Sequence, residues 1–566
     1  MIRTIFLERA PLIRLRRSGL NIGNARTGNP QVKSLYDRMA PFLSRRSLWQ
    51  GAFELACLTT EDPLHEPVTA LIRRETEGSQ NGAFHGSFTE QLQLAKAALD
   101  LAEFTADRGL MKRLAEWCRW VEVNWDQIIS LQEVRVQPAD LMEFLIRFYL
   151  MTSSQAALRL CARLRSGAMD WTTALQSYSS VGRLKNNMLT EKPQDILSRS
   201  DLDETDWQKR LCILNHGELV ADGMRFAALA GLFSGNGQEL SAGFKGWKAV
   251  QKSDGAVCGG TCGAPFLSGR GSAQPVSTAV LSAWVEALAA QLYITEAAWP
   301  LDGMIRIGLN GLQEALRDGR PAPVQRVNRL KTDPAPETAP AEGEEAIRIL
   351  GRAARAVSVF YRWAVGVSAD ALHLHYPLPG KYLIPGRKMV VTMGPRAARI
   401  RVRDGSDLSL TVFAAGTETR EILIHSGSQL YSFNQSEADL TEIREGKTFA
   451  TGAAIQDQDR VEWAAQDAVR YERTHHQGIC FWTENQMRVL DAGESWRYAA
   501  TGRAEKEKDG SVRVEAVPVE DWRIQDQQPA EIPVLPRGEG KPVMLKTVPY
   551  EKARNRIAVF PRAAKT

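Results

Sequence analysis

Two pairs of acidic residues stand near the starts of predicted helices, at spacings that suit acid–base chemistry. Glu218 and Asp222 are four residues apart in NHGELVADGM, so they lie on one face of a helix near its first turn. Asp140 and Glu143, in QPADLMEF, are three residues apart and share a helix face in the same way. Two carboxylates that face one cavity can act as general acid and general base. His216, beside the first pair, can hydrogen-bond a ligand or exchange a proton near neutral pH.

These residues also have structural explanations. Asn215 can cap the helix with Glu218 as its N3 partner, a variant of the capping box. Pro138 suits position N1 of its own helix, which makes Asp140 a first-turn acid stabilised by the helix dipole. A histidine at a helix start, such as His216, often only satisfies local hydrogen bonds. From the sequence, both interpretations stay open.

A glycine-rich loop spans residues 255–271. Its cysteines, Cys258 and Cys262, have no nearby His or Cys to complete a metal site. We expect the glycines to let the loop turn tightly along a cavity wall, with Arg270 contacting an anion or a hydroxyl. His373 and His375 share a strand face without a visible third ligand. The sequence therefore predicts no metal and no cofactor.

Fourteen tryptophans are spread along the chain, many of them in or beside predicted helical hairpins. Trp247 and Trp284 are candidates for stacking on a ring-shaped ligand. The alternative is that they fill the wedges between hairpins, because large aromatic side chains dominate core packing.

The charge balance excludes several classes of protein. The net charge of +5 comes from 71 basic and 66 acidic side chains, and no basic block alternates with aromatic residues as in nucleic-acid grooves. No apolar run reaches about 18 residues, so we expect no membrane-spanning helix. The N-terminus lacks a secretory-signal pattern, and the seven cysteines are scattered, so we expect a cytoplasmic protein. The expected partner is a small or neutral ligand, or another protein, and a homo-oligomer stays an open alternative.

Helical hairpins recur along the first part of the chain. Residues 86–125, 137–171, 215–247 and 281–312 each contain an apolar helix, a short polar turn and a second amphipathic helix. Each hairpin can bury its apolar face only against the next one, so the repetition predicts a closed (α/α)6-type helical toroid. An open helical array is the alternative.

A second architecture follows Ser368, where the hydrophobic period changes from 3.6 to 2 residues. Short strands separated by turn residues then predict an antiparallel β-sandwich. We therefore divide the chain into an extended N-terminal segment (1–29), a helical toroid (30–367) and a β-sandwich (368–566).

Several short stretches, taken in order, resemble the β-L-arabinofuranosidase family of glycoside hydrolases (family 127). His216 and the glycine after it precede a long apolar helix as in that family, and Asn310 matches a second helical stretch. SADALHLHYPLPG and QGICFWTEN resemble two of its strands, and VPYEKARNRIAVFPR resembles a C-terminal stretch through Tyr550 and Asn555. The resemblance covers most of residues 86–562 and implies the same order of toroid and sandwich.

The catalytic residues that the resemblance implies are largely missing. The family is understood to hold zinc with one Glu and three Cys, one thiolate being the nucleophile. Its Glu and first Cys align with 277–279, its adjacent Cys pair with 344–348 and its acid/base Glu with 262–265, and none of these carries the required residue. Two active-site histidines align with Ser87 and Ala139. Because thiolate is needed to bind zinc and to attack the sugar, we expect a different mechanism.

These observations favour a carbohydrate-active protein that resembles β-L-arabinofuranosidases. The first hypothesis is a glycoside hydrolase for an oligosaccharide or glycoside substrate, with Glu218 and Asp140 as its catalytic carboxylates. The expected substrate contacts are His216, Asp222, Glu143, Ser87, Arg270, Trp247 and Trp284. The alternative is a non-catalytic relative that binds a saccharide or a protein partner. A lyase or isomerase, with a Tyr or His base beside an Arg, is a third interpretation.

Overall fold

A computed structural model describes most of the chain from Arg17 onward. The described residues are 17–60, 63–178, 213–263, 266–270, 274–315, 324–326, 343–384, 386–403, 405–415, 420–434, 445–465, 469–473, 478–483, 486–491, 496–507, 511–522, 543–549, 552–553, 556–557 and 560–561. Tyr550 and Asn555 of the C-terminal resemblance lie outside these residues.

Helices occupy the region before Trp363. They are α1 (Pro30–Met39), α2 (Trp49–Leu58), α3 (Glu66–Glu77), α4 (Phe88–Thr105), α5 (Arg108–Val123), α6 (Trp125–Ser130), α7 (Gln132–Val136), α8 (Ala139–Thr152), α9 (Gln155–Gly167), α10 (Trp171–Gln176), α11 (Gly217–Ser234), α12 (Gly237–Asp254), α13 (Thr278–Ile294), α14 (Trp299–Arg306), α15 (Leu312–Ala315) and α16 (Glu344–Arg362). A π-helical turn, Ile307–Gly311, joins α14 to α15.

Turn chemistry explains three of the predicted hairpins. At each turn, one residue takes the left-handed conformation that ends the first helix, and the next residue caps the second helix. Ala106 (φ 57°) ends α4, and the Asp107 carboxylate accepts hydrogen bonds from the first-turn amides of α5. Ser153 and Ser154 do the same between α8 and α9, as do Gly235 and Asn236 between α11 and α12. These caps satisfy amides that the helix itself cannot pair.

Six helices form a closed inner ring. In ring order they are α2, α4, α8, α11, α13 and α16; each contacts the next, and α16 returns to contact α2. The inner helices are apolar on most faces because they pack against both the ring and the outer helices, as the burial of every described side chain of α2 illustrates. The closed ring confirms the predicted α/α toroid over the open array.

Two short strands precede the toroid, one pair of strands lies within it, and most of the described strands follow it. They are β1 (Ser18–Gly19), β2 (Ala25–Arg26), β3 (Pro275–Ser277), β4 (Val324–Arg326), β5 (Val365–Val367), β6 (Ala371–Leu374), β7 (Gly380–Ile384), β8 (Met389–Met393), β9 (Ala397–Val402), β10 (Ser409–Ala414), β11 (Arg420–Ser426), β12 (Gln429–Asn434), β13 (Lys447–Ala454), β14 (Arg460–Ala465), β15 (Arg470–Arg473), β16 (Gly478–Thr483), β17 (Gln486–Asp491), β18 (Trp496–Lys506), β19 (Val512–Trp522), β20 (Val543–Pro549), β21 (Arg556–Ile557) and β22 (Phe560–Pro561).

Two sheets build the predicted sandwich. One has the order β1-β5-β6-β10-β13 and the other β12-β11-β14-β9-β8-β7-β2. Alternating burial along β8 and β9 places one residue of every two in the core, which is the period that predicted these strands. Pairing is antiparallel except between β6 and β10, which run parallel. The N-terminal strands β1 and β2 complete both sheets, so the described part of segment 1–29 packs with the sandwich.

A third sheet, β15-β16-β17-β20-β19-β18, forms beyond the sandwich and has a small apolar cluster of its own. Hydrogen bonds and an ion pair connect this sheet to the toroid at and just before the π-helical turn. Asn310 accepts a hydrogen bond from the backbone amide of Met487 at 2.8 Å, and Arg306 pairs with Glu472 at 2.8 Å. Asn310 therefore joins helix to sheet in a buried position.

The change of architecture lies where α16 ends at Arg362 and β5 begins at Val365. The proposed division at residue 368 remains a prediction, as do the other domain limits. None of the helices within the described residues combines the length and the apolarity needed to cross a bilayer.

Candidate functional site

The inner helices of the toroid surround a cavity of about 260 Å³. Its wall is built from the N-terminal halves of α2, α4, α8 and α11, the first two thirds of α16, the middle of α13, and residues of α7 and of the turn before α2. The ionisable side chains that line it are Arg46, Lys96, Glu133, Asp140, Asp222, Arg225, Glu286, Arg348, Arg352 and Arg355. Helix N-termini carry partial positive charge, which favours the carboxylates placed there.

Glu218 lies just behind this wall, and two arginines of α16 hold its carboxylate. Arg348 donates to both oxygens, at 2.9 and 3.1 Å, and Arg352 donates to Oε2 at 2.5 Å. The N-cap position of α11 is His216, whose side chain makes no capping hydrogen bond. The capping box expected for Asn215 and Glu218 is therefore wrong, since the Glu218 carboxylate is engaged by guanidinium groups.

Asp140 lies on the cavity wall among three cations. Lys96 approaches its Oδ1 at 2.7 Å, Arg355 donates at 3.3 Å, and Arg225 donates to the same oxygen. The Asp140 side chain is nevertheless 42% exposed, so a ligand in the cavity can reach it.

Arg225 lies at the centre of the ion pairs around the cavity. It is 2% exposed and contacts Asp140, Glu286 and Glu143, and Asp222 lies 4.0 Å away. Glu143 also accepts from Arg355 at 2.7 Å. Glu143 lines a smaller adjoining cavity of about 50 Å³ rather than the main one.

The cluster is balanced in charge. Five carboxylates, those of Asp140, Glu143, Glu218, Asp222 and Glu286, face five cations. These cations are Lys96, Arg225, Arg348, Arg352 and Arg355. Buried charges are tolerated when each has a partner that offsets its lost hydration.

The pKa values of the carboxyl groups shift in different directions in this environment. Burial raises the pKa of Glu218, but Arg352 and Arg348 outweigh burial and bring the pKa to about 2. Burial is likewise outweighed at Asp140, whose pKa Lys96, Arg225 and Arg355 hold well below its usual value. At Asp222 burial wins over Arg352 and Arg225, so its pKa is raised. The cavity thus places an ionised carboxylate near a carboxyl that holds its proton more tightly.

Three predicted contact residues occupy other places. Ser87 is exposed and forms a capping box with Glu90 at the start of α4. His216 packs edge-on against Phe266, and burial lowers its pKa. Arg270 donates to the backbone oxygen of Gln251 at 2.7 Å. None of the three is among the described residues that line the cavity.

The two tryptophans singled out from the sequence pack against each other. Their ring centroids are 5.1 Å apart, and Trp284 is fully buried with its indole nitrogen donating to Thr261 at 3.0 Å. Trp247 also contacts Trp299. Trp284 is a core residue and Trp247 is a partly buried ring packed against the core, and neither is among the described residues that line the cavity.

The residues that the structure describes do not fit a zinc–thiolate centre. Six cysteines are described, all of them buried, and no group of three or more His, Cys, Asp or Glu among the described residues is placed to hold a metal ion. Both ring nitrogens of His373 are engaged, by Thr411 and Ser368. The ring of His375 bonds the Trp363 carbonyl and Arg17.

Sequence reasoning missed the cations of the site. Arg348, Arg352 and Arg355 follow one another at intervals of four and three residues, which puts them on one face of α16. The residues between them are Ile349, Leu350, Gly351, Ala353 and Ala354, so a row of arginines in this otherwise uncharged stretch was a readable signal of carboxylate partners on neighbouring helices.

Comparisons with known proteins match this architecture. No protein-family model and no curated protein sequence matches the chain. Solved structures do: a protein described as a glycoside hydrolase superposes with a TM-score of 0.70 at 12% identity, over 99% of both chains. A GH127 β-L-arabinofuranosidase from Geobacillus stearothermophilus T6 gives 0.62 at 12% identity, covering 96% of this chain and 100% of that one. The chain has the fold of these glycoside hydrolases.

A further GH127 β-arabinofuranosidase gives a TM-score of 0.59 at 11% identity, over 97% of this chain and 98% of that one. The predicted order of helical toroid and β-sandwich is therefore confirmed along the whole length. At such identities the likeness concerns the fold, and the chemistry has to be argued from the residues of the cavity.

Proposed function

We propose that this chain is a glycoside hydrolase that cleaves a glycosidic bond in the charged cavity by means of two carboxyl groups. Asp222 is the general acid, and Asp140 is the ionised partner. The observation that carries the proposal is that both approach one atom, Nη2 of Arg225, while their pKa values shift in opposite directions. Their Oδ1 atoms are therefore no more than about 6 Å apart, a limit that admits the carboxyl separation of about 5–5.5 Å used by retaining glycosidases.

Asp222 has the environment of a proton donor. Its Oδ1 accepts from Arg352 at 2.9 Å, and its Oδ2 makes no hydrogen bond to any described residue. A proton on Oδ2 can pass to the glycosidic oxygen as the bond to the leaving group breaks. The raised pKa keeps that proton in place at higher pH than an exposed aspartate would.

Asp140 has the environment of the second group. Three cations keep it ionised, and its side chain is open to the cavity. It can attack the anomeric carbon or take a proton from a water that attacks in its place. Product stereochemistry, followed by NMR during turnover, distinguishes these two roles.

Glu218 is a positioning residue in this proposal, rather than the catalytic carboxylate that the sequence analysis made it. With a pKa near 2 and both oxygens bound by guanidinium groups, it has no proton to donate at neutral pH. We propose that it positions Arg352, which bridges Glu218 and Asp222. Glu218→Gln removes a negative charge near Asp222, so the pH at which turnover falls on the alkaline side should move to lower pH.

The test is turnover of 4-nitrophenyl furanosides and pyranosides by purified wild type, Asp222→Asn and Asp140→Asn. Each substitution should lower kcat by about 10²–10⁴-fold. Asp126→Asn, which changes a side chain that is 96% exposed, is the matched control and should keep full activity. For Asp222→Asn the loss should shrink with 2,4-dinitrophenyl glycosides, whose leaving group departs without a proton.

Full turnover in both variants would exclude these two groups. A loss that is equal for both leaving groups would indicate misfolding or a positioning effect rather than a missing acid. Circular dichroism and urea unfolding of each variant distinguish misfolding from a positioning effect.

A non-catalytic saccharide-binding protein is the second candidate. One observation favours it: Asp140 is held by three cations, which lowers the reactivity of its oxygens. This candidate predicts no turnover of any glycoside by the wild type, together with saccharide binding that Asp140→Asn weakens.

A further inference from the structure

A second cavity, of about 540 Å³, lies between the helical ring and the strands. Its wall includes the segment before α1, the C-terminal end of α16, the π-helical turn and the starts of β7 and β17. The described residues that line it are Thr27, Gly28, Asn29, Gln31, Leu309, Gln313, Tyr361, Leu378, Pro379, Gly380 and Gln486. Arg348 of the first cavity and Tyr361 of this one are thirteen residues apart on α16, or about 20 Å along the helix axis.

The lining of this cavity differs in kind from that of the charged one. None of the described residues in its wall carries a charge, whereas the charged cavity has ten ionisable side chains. Amides supply most of the polar groups, and Leu309, Leu378 and Pro379 supply apolar surface. An ionic ligand would lose its hydration here without gaining a partner of opposite charge.

Three of the amides are available to a ligand. The side chains of Gln31, Gln313 and Gln486 make no hydrogen bond to the described residues, although each lines the cavity. Asn29 is different, because it donates to the Tyr361 hydroxyl at 2.9 Å and accepts from the backbone amide of Gln31 at 2.9 Å. Asn29 and Tyr361 are thus held rigidly, and the glutamines remain free to pair with an incoming group.

A primary amide donates with its nitrogen and accepts with its oxygen, which matches the donor and acceptor of a sugar hydroxyl. The π-helical turn sets the position of Leu309 and directs Gln313 from the following turn; such insertions in helices often accompany functional sites. The volume suits a ligand of one or two sugar units.

We propose that this amide-lined cavity is a binding site for a neutral saccharide unit, separate from the charged cavity. It would hold its ligand whether or not the charged cavity cleaves a glycosidic bond. Because the sites lie at opposite ends of α16, a short saccharide occupies one of them at a time.

The test is binding to the full-length protein, measured by saturation-transfer NMR and calorimetry. The probes are L-arabinose, D-galactose and D-xylose, with D-glucuronate as the charged control. Gln313→Met and Gln486→Met keep the side-chain length but remove the amide, and Gln127→Met on the exposed surface of α6 is their matched control. Gly28→Trp places an indole ring at the cavity wall, since Gly28 lines the cavity and a side chain there meets no other atom within 4 Å.

At least one neutral sugar should bind, and glucuronate should not. Each Gln→Met change in the cavity should weaken binding about 5–10-fold, corresponding to one hydrogen bond, and Gly28→Trp should abolish it. Gln127→Met should bind as the wild type does. Absence of binding by all three neutral sugars would overturn the proposal. Binding that Gly28→Trp leaves intact and Asp140→Asn weakens would assign the sugar to the charged cavity and overturn it as well.

Discussion

Glu54 should make the stability of this protein fall as pH rises through neutrality. Its side chain lies on α2, is 2% exposed and accepts a hydrogen bond from Arg362 at 3.2 Å. Burial raises its pKa from the usual 4.5 to about 7, against the opposing charge of Arg362 and with added repulsion from Asp100. The folded state therefore holds the Glu54 proton more tightly than the unfolded state does.

The sign and size follow from proton linkage. The stabilisation is complete below pH 4.5, where both states are protonated, and is lost as pH rises to about 7. At 1.36 kcal/mol for each pKa unit, the loss amounts to about 3 kcal/mol. Glu54→Gln keeps the shape of the neutral acid and cannot ionise, so it should remove this part of the pH dependence.

The assay is equilibrium unfolding in urea at pH 5 and pH 8. The free energy of unfolding of Glu54→Gln, relative to wild type, should rise by about 2.5 kcal/mol between these two values, slightly less than the full amount because the unfolded state is already partly ionised at pH 5. Glu66→Gln, at an exposed position on α3, should follow the wild type at both. Parallel pH dependences of wild type and Glu54→Gln would refute the argument, because they would mean that Glu54 is ionised in the folded protein at pH 5.

Three further predictions concern the cluster and the helices. Arg352→Met strips Glu218 and Asp222 of a shared partner, so the free energy of unfolding should fall by about 3–5 kcal/mol at pH 7. The Glu218 part of this loss should fade between pH 4.5 and pH 2, where its carboxylate takes up a proton, and an equal loss at pH 7 and pH 3 would contradict it. Ser87→Ala should cost about 1 kcal/mol through the lost capping box and leave turnover and sugar binding unchanged; a change in either would place Ser87 at a ligand site. Metal analysis of the purified protein should find no stoichiometric zinc, and tightly bound zinc would contradict the absence of a thiolate site.

The helical hairpins could be predicted because their information is local. Polar turns that contain Asp107, Ser154 and Asn236 interrupt apolar periodicity, and the same residues supply the caps seen in the structure. The sequence analysis assigned the strands of the third sheet to the sandwich. It did so because a hydrophobic period of two residues reveals strands but not which strands pair. Its separate position depends on long-range contacts such as Arg306 with Glu472.

Four of the five carboxylates in this cluster were named from the sequence, whereas Glu286, the cationic partners and the roles of the groups were not. Glu218 and Asp222 have the same spacing and helix face that predicted them, yet one contacts two arginines of α16 and the other lines the cavity. That difference depends on a helix more than 120 residues away in sequence. A capping box competes with such an ion pair for the same carboxylate, and here the paired guanidinium groups win, because a charge-assisted bidentate contact is stronger than a capping bond.

Under the proposed function, the charged cluster serves binding or chemistry rather than stability. Buried ion pairs rarely stabilise a fold more than well-packed apolar residues of the same size, since desolvation offsets most of the attraction. Elsewhere the toroid buries large apolar side chains, including the fully buried Trp117, Trp171 and Trp284. Ten ionisable side chains line a cavity in which Asp140 stays exposed. Their desolvation lowers the free energy of unfolding that the fold can reach, and binding of a ligand gives them a use that stability does not. Where the resemblance placed a cysteine pair, near residues 344–348, this chain carries Arg348, bound to Glu218. A guanidinium held by Glu218 thus stands in that segment, and in the proposed function carboxylates paired with arginines act on the glycoside.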